Sequence, residues 1–117
     1  MVKKLKITLK TADNYIDNEI SGIYDEDREV LKYFERDKTS VVLDLKNKTL
    51  IRNNNNIYLK YIFDLEKNTS NLLKVKGLNK ELEIIIKTNK FNVTNNLIEI
   101  IYEIVDSKEQ FIYKIEY

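Results

Sequence analysis

The sequence predicts an all-β fold, a single antiparallel meander of eight to ten strands closed, or nearly closed, into a barrel. Three observations carry that expectation. Apolar and polar residues alternate with a period of two along most of the 117 residues, as strands with one buried face require. The segments between the alternating runs are short and rich in Asn, Asp, Ser and Lys, as hairpin turns are. No stretch reads as a convincing crossover helix and proline is absent, so consecutive strands pair antiparallel, and closure removes the edges that so long a meander would expose. A β-sandwich is the competing architecture.

Taken in order, Leu5, Ile7 and Leu9 alternate with Lys4, Lys6, Thr8 and Lys10 and define the first strand. Asp13-Asn14 reads as a turn, and the stretch from Tyr15 to Ile23 as a second strand, with Gly22 marking a bulge or bend. Residues 28–36 are ambiguous on pattern alone: Val30, Leu31 and Phe34 form a helical stripe, whereas Leu31 and Tyr33 suit a strand face. Val41, Leu43 and Leu45 then alternate with Ser40, Asp44 and Lys46, and Asn47-Lys48 reverses the chain into Thr49 to Arg52.

Asn53 to Asn56 supplies another reversal. The next strand carries one unbroken apolar face, Ile57, Leu59, Tyr61, Phe63 and Leu65. Asn68 to Asn71 turns into Leu72–Lys76, and Gly77 to Lys80 turns into Leu82, Ile84 and Ile86. Asn92 to Asn96 precedes Leu97–Val105, whose Ile98, Ile100, Tyr102 and Ile104 face the core. Phe111, Tyr113, Ile115 and Tyr117 alternate with Lys114 and Glu116 in the last strand.

Composition narrows function mainly by exclusion. A chain of 117 residues fits one domain, residues 1–117. With no Cys and no His, it builds no disulfide, thiolate or imidazole metal site, Cys nucleophile or Ser-His-Asp triad. Two glycines, Gly22 and Gly77, make neither a P-loop nor a dinucleotide fingerprint. The sequence calls for no cofactor. No apolar run approaches the ~18 residues of a membrane span, and the start Met1-Val2-Lys3-Lys4-Leu5-Lys6 lacks a signal peptide's apolar region, so the expected compartment is the cytoplasm.

The net charge is +1, unevenly spread: residues 13–37 carry 3 basic and 9 acidic side chains, and residues 38–97 carry 11 and 5. That basic segment and the eight tyrosines allow a reading as a single-stranded nucleic-acid binder. Tyr61 and Phe63 share a face with Leu59 and Leu65, however, which assigns those rings to the core and disfavours it. Asp25, Glu26, Asp27 and Glu29 lack the spacing of a calcium loop and read as a solvated hairpin tip. No carboxylate pair stands out for hydrolytic chemistry, so an enzyme is the less favoured class.

Several segments resemble the YwiB-like family of uncharacterised bacterial proteins. They are Ser21-Gly22-Ile23-Tyr24, Val30 to Glu35, and the paired runs Thr39 to Leu45 and Thr49 to Arg52, followed by Glu81 to Thr88 and Leu97 to Ile104. The resemblance implies a calycin-like, lipocalin-like barrel and makes residues 28–36 a strand. It brings no activity. The lipocalin Gly-x-Trp signature is missing, and Lys76-Gly77-Leu78-Asn79-Lys80 replaces the aromatic, proline and glycine stretch usual in the family.

Tyr33, Glu35 and Arg52 recur in that family's pattern, which brings them together at one mouth of the barrel. A charged pair among aromatics there, with Tyr102 as a fourth lining residue, would orient a small ligand. A structural ion pair that fixes strand register is the simpler account of the same residues. The functional expectation is a non-enzymatic binding module for a small apolar or amphipathic ligand. A protein-interaction or nucleic-acid-binding module using the outer wall is the alternative. Phe63, Tyr102 and Phe111 are large enough to fill so small an interior.

Overall fold

The computed structural model describes residues 1–117 and contains ten strands: β1 (Val2–Lys10), β2 (Tyr15–Asp25), β3 (Val30–Phe34), β4 (Ser40–Asp44), β5 (Thr49–Asn53), β6 (Ile57–Ile62), β7 (Thr69–Val75), β8 (Lys80–Val93), β9 (Leu97–Ile104) and β10 (Gln110–Glu116). They pair antiparallel in chain order and β10 returns to β1, so the sheet is a closed barrel. A 3-10 turn at Lys76–Leu78 is the one helical element. No helix is long and apolar enough to cross a membrane.

The alternation in the sequence becomes the division between wall and interior. Leu5 and Ile7 of β1, Leu31 and Tyr33 of β3, Val41 and Leu43 of β4, Ile98, Ile100 and Tyr102 of β9, and Ile115 of β10 join one contiguous cluster of sixteen buried apolar residues. Closure places the first and last strands side by side, with Ile7 opposite Ile115 and Leu9 opposite Tyr113. Residues 28–36 take the strand alternative: Val30–Phe34 pairs with β2 and β4, and its Leu31 and Tyr33 turn inward.

The meander gives the barrel two rims. The β1–β2, β3–β4, β5–β6, β7–β8 and β9–β10 turns form one, called here the upper rim. The lower rim holds the other turns and both chain termini. Five turn residues, Glu29, Lys38, Lys48, Asn79 and Lys108, have positive φ between 47° and 68°. All but Asn79 are types that disfavour this left-handed region, and each such residue costs about 1–2 kcal/mol relative to a right-handed one.

Several expectations are corrected. The apolar face starting at Ile57 does not run to Leu65: β6 ends at Ile62, Phe63 stays buried, and Leu65 is half exposed. The cause is a local turn in which Asp64 Oδ1 accepts the Glu66 N–H at 2.9 Å. Asn68 to Asn71 is not all turn, because β7 begins at Thr69. Asn71 is 3 % exposed.

β8 continues past Lys87 to Val93, so of Asn92 to Asn96 only Thr94 to Asn96 lies between strands. A β-bulge between Thr88 and Lys90 shifts its phase: Ile86 and Thr88 are buried before it, and Phe91 packs against the core after it. Leu82 is half exposed, because the start of β8 overhangs the upper rim without a β9 neighbour.

Gly22 marks no bulge, since the β1–β2 register is continuous from Val2↔Ile23 to Lys10↔Tyr15. A methyl group there would lie 2.5 Å from Leu5 Cδ1 and 3.0 Å from the Lys32 carbonyl. Its role is close packing.

Candidate functional site

At the upper rim Arg52, near the end of β5, turns toward the interior because its row across the sheet runs Tyr33, Val41, Arg52, Leu59, Leu73. Every other side chain in that row is apolar or aromatic, so the guanidinium must find a counter-ion from a loop. Glu35, just beyond β3, supplies it. Arg52 Nε donates to Glu35 Oε1 at 3.1 Å, and Nη2 donates to the same oxygen. The structure thus brings Glu35 and Arg52 into direct contact, and places Tyr33 in the same row, buried at 4 % exposure.

The loop that carries Glu35 is fixed by its own bonds. The Glu35 N–H donates to the Thr39 carbonyl and the Lys38 N–H to the Glu35 carbonyl, both at 2.9 Å. Thr39 N–H donates to Asp37 Oδ1 at 3.0 Å, and Thr39 Oγ1 accepts from Asn54 Nδ2 at 3.0 Å. Hydrogen bonds from the Thr39 hydroxyl and amide hold the Asp37 carboxyl below the usual carboxylate range, with Arg52 adding to the effect. The sequence reading missed Asp37, Thr39 and Asn54. In the sequence the run Asp37-Lys38-Thr39 reads only as a polar turn.

Below the ion pair lies an aromatic floor. Tyr102 of β9 stacks on Phe111 with ring centres 5.0 Å apart and meets Tyr61 at 5.4 Å and Phe63 at 5.5 Å. Burial pushes the Tyr102 phenol far above its ordinary value, Tyr61 raises it further, and the Arg52 charge acts in the opposite sense. Burial likewise raises Tyr61, again opposed by Arg52. Tyr61 belongs to the site although its alternation with Leu59 marks it only as core. Thr88 stands directly opposite Tyr102, and its hydroxyl is buried without a hydrogen-bond partner.

The lower rim is closed by other means. Lys3 Nζ lies 5.0 Å from the Tyr117 ring centre and 5.6 Å from that of Tyr24, while Tyr117 OH donates to the Thr94 carbonyl at 2.9 Å. Between the two rims the cluster of apolar side chains fills the barrel. The acidic tip at Asp25 to Glu29 is organised as a turn, with Asp25 Oδ1 accepting the Asp27 and Arg28 N–H groups at 3.1 and 3.2 Å.

On the outer wall three lysines of residues 38–97, Lys74, Lys87 and Lys90, face carboxylates. Lys74 stands opposite Glu81 and Lys87 opposite Glu103, while Lys90 and Lys114 both bridge to Glu99. Hydrogen bonds from Lys90 and then Lys114 hold the Glu99 carboxyl below its ordinary value.

These features define a ten-stranded antiparallel meander barrel with one charged, aromatic-floored mouth. Among solved structures its fold is similar to that of the YwiB protein from Bacillus subtilis, with a TM-score of 0.66 over 97% of this chain and 87% of that chain. Sequence identity is 19%, so the likeness concerns the fold. No family model and no curated protein sequence matches the chain.

Proposed function

We propose that the protein is a non-catalytic, cytoplasmic binding module of the calycin-like, YwiB-like type, whose upper mouth takes a small amphipathic ligand with an anionic or carbonyl head. The observation that carries this reading is Arg52, set in an otherwise apolar row at the upper rim and only partly committed to Glu35. Arg52 commits Nε and Nη2 to Glu35, leaving Nη1 as a paired donor for an acceptor group.

Arg52 and Glu35 are 38% and 35% exposed. Ion pairs so open contribute only about 0–1 kcal/mol, so stability alone gives weak reason to aim an arginine into an apolar row. Tyr61 and Tyr102, one row deeper, offer apolar contact next to the guanidinium and carboxylate, the mixture of apolar walls and few polar groups that small-molecule sites show. Because side chains fill the deeper interior, the ligand sits in the mouth, and its chain or ring is short.

The test is a thermal-shift screen with octanoate, phenylacetate and their neutral amides, repeated on Arg52→Gln. A carboxylate that raises Tm in the parent by several degrees, and does so at least tenfold more weakly in Arg52→Gln, supports the mouth. If no probe moves Tm, and the Arg52 side-chain NMR signals also stay fixed at millimolar probe, the reading fails. The pairing of Lys74, Lys87 and Lys90 with carboxylates weakens the alternative of a nucleic-acid-binding outer wall, since such surfaces gather unpaired basic residues.

A further inference from the structure

The barrel is closed, yet β2 is paired on both sides only near its end. Its bonds to β1 run from Tyr15 to Ile23, whereas β3 reaches only Gly22 to Asp25. Tyr15 to Ile20 therefore forms a free edge at the upper rim. The hydrogen-bond phase is fixed by Met1, whose carbonyl accepts the Tyr24 N–H at 2.9 Å and whose amino group donates to the Tyr24 carbonyl at 3.3 Å. Counting back in twos, Gly22, Ile20, Asn18 and Ile16 bond to β1, so Tyr15, Asp17 and Glu19 aim their N–H and C=O groups at solvent.

Free edges are normally blunted by Lys, Pro or a bulge, because they accept added strands. Another overhang, Lys87 to Val93 of β8, carries Lys87, Lys90 and the bulge. Lys80 to Ile84 of β8 overhangs as well, but it starts with Lys80. The β2 edge has no Lys, Pro or bulge, and its charged side chains, Asp17 and Glu19, are both acidic. It leaves Tyr15 64% and Ile16 50% exposed.

We propose that this edge docks an extended segment of a partner protein, antiparallel to β2 and alternating Lys or Arg with apolar residues. The choice of partner follows from what β2 already accepts on its other side. There Lys4, Lys6 and Lys10 stand opposite Ser21, Glu19 and Tyr15, with Thr8 opposite Asp17, while Leu5, Ile7 and Leu9 stand opposite Ile20, Asn18 and Ile16, so the outer row of β2 meets a mostly basic row and the inner row meets apolar side chains. The free side presents the same two rows: Asp17 and Glu19 outside, Ile16 and Ile20 inside. A second copy of the chain fits poorly, because antiparallel β2–β2 pairing centred on Asp17, Asn18 or Glu19 sets carboxylate against carboxylate, and like charges directly opposite destabilise a sheet. Strand addition draws affinity from main-chain bonds and specificity from alternate side chains.

The probe is a labelled peptide of sequence Lys-Leu-Lys-Ile-Thr-Leu-Lys, identical to residues 4–10, with a control in which Glu replaces each Lys. Fluorescence anisotropy is expected to show binding of the basic peptide at least tenfold tighter than of the acidic one, and weakened by salt. Amide exchange at Tyr15, Asp17 and Glu19 slows when it binds. Asp17→Pro removes an N–H that the fold does not use and should abolish binding with Tm unchanged. Should that variant unfold, Asp17→Lys combined with Glu19→Lys tests the same edge by reversing the peptide preference. Equal binding of both peptides, binding unaffected by these substitutions, or concentration-dependent dimerisation through β2 overturns the proposal.

Discussion

Gly22 shows what one missing methyl group does. The strands around it pair without a bulge, so backbone freedom is not what the position needs; it needs room for Leu5, which is 1% exposed. An added Cβ would stand 2.5 Å from Leu5 Cδ1 and 3.0 Å from the Lys32 carbonyl, so the Leu5 side chain must leave its place in the core to admit it. Gly22→Ala should destabilise the protein by about 1–3 kcal/mol, the usual cost of overpacking. Leu5→Val removes the clashing Cδ1 and should recover part of that loss, so urea denaturation of the two single variants and the double variant should give a favourable coupling energy. A neutral or stabilising Gly22→Ala would show that the contact yields.

Among the elements, β6 and β7 share the shortest ladder in the barrel, with three paired residues from Ile57↔Val75 to Leu59↔Leu73. Beyond them the strands part, and the Asn71 side chain takes the place of a backbone partner. Its Oδ1 accepts the Ile62 N–H at 2.7 Å, and its Nδ2 donates to the carbonyls of Thr69 and Ile84 at 3.1 and 3.2 Å. One amide thereby joins β6, β7 and β8. Asn71→Leu keeps the volume and leaves these groups unpaired, at about 1–3 kcal/mol for each buried group stranded. The expected result is a lower Tm and much faster hydrogen exchange at the Ile62 amide than at Leu59, whose own ladder is intact. Equal protection at both would rule out the seam. Asn71 was illegible in the sequence because an Asn after Asn68-Thr69-Ser70 has the composition of a turn, and only the parting of β6 from β7 makes a buried amide necessary. Phe91 was hidden for a related reason: the bulge reverses the alternation that revealed β1, β4, β9 and β10. The mouth was legible in part, since the resemblance supplied Glu35 and Arg52, but Tyr61, Thr39 and Thr88 join it only through contacts between distant strands.

At the scale of the whole molecule, closure concentrates phenols where water does not reach. Burial raises Tyr102 and Tyr113 far above the ordinary value of 10, and burial raises Tyr24, Tyr61 and Tyr117 as well. The linkage has a definite sign. A group whose pKa is higher in the folded than in the unfolded chain binds more protons when folded. Its contribution is complete below the unfolded value near 10 and is lost as pH rises toward the folded value. For two deeply buried phenols the slope is about 2.7 kcal/mol per pH unit above pH 10. Against a domain stability of about 5–15 kcal/mol, that slope unfolds the barrel within a few pH units. Absorbance at 295 nm should therefore stop short of the full change for eight tyrosines while the far-UV strand signal persists, then complete in step with its loss. Tyr102→Phe and Tyr113→Phe should each flatten the fall in stability above pH 10, by about 1.4 kcal/mol per pH unit. Tyr113 gives the sharper test, because its hydroxyl is buried without a partner and its removal strands nothing. Full ionisation of all eight phenols with the strand signal intact would mean that water enters the barrel, and the filled interior would have to be abandoned.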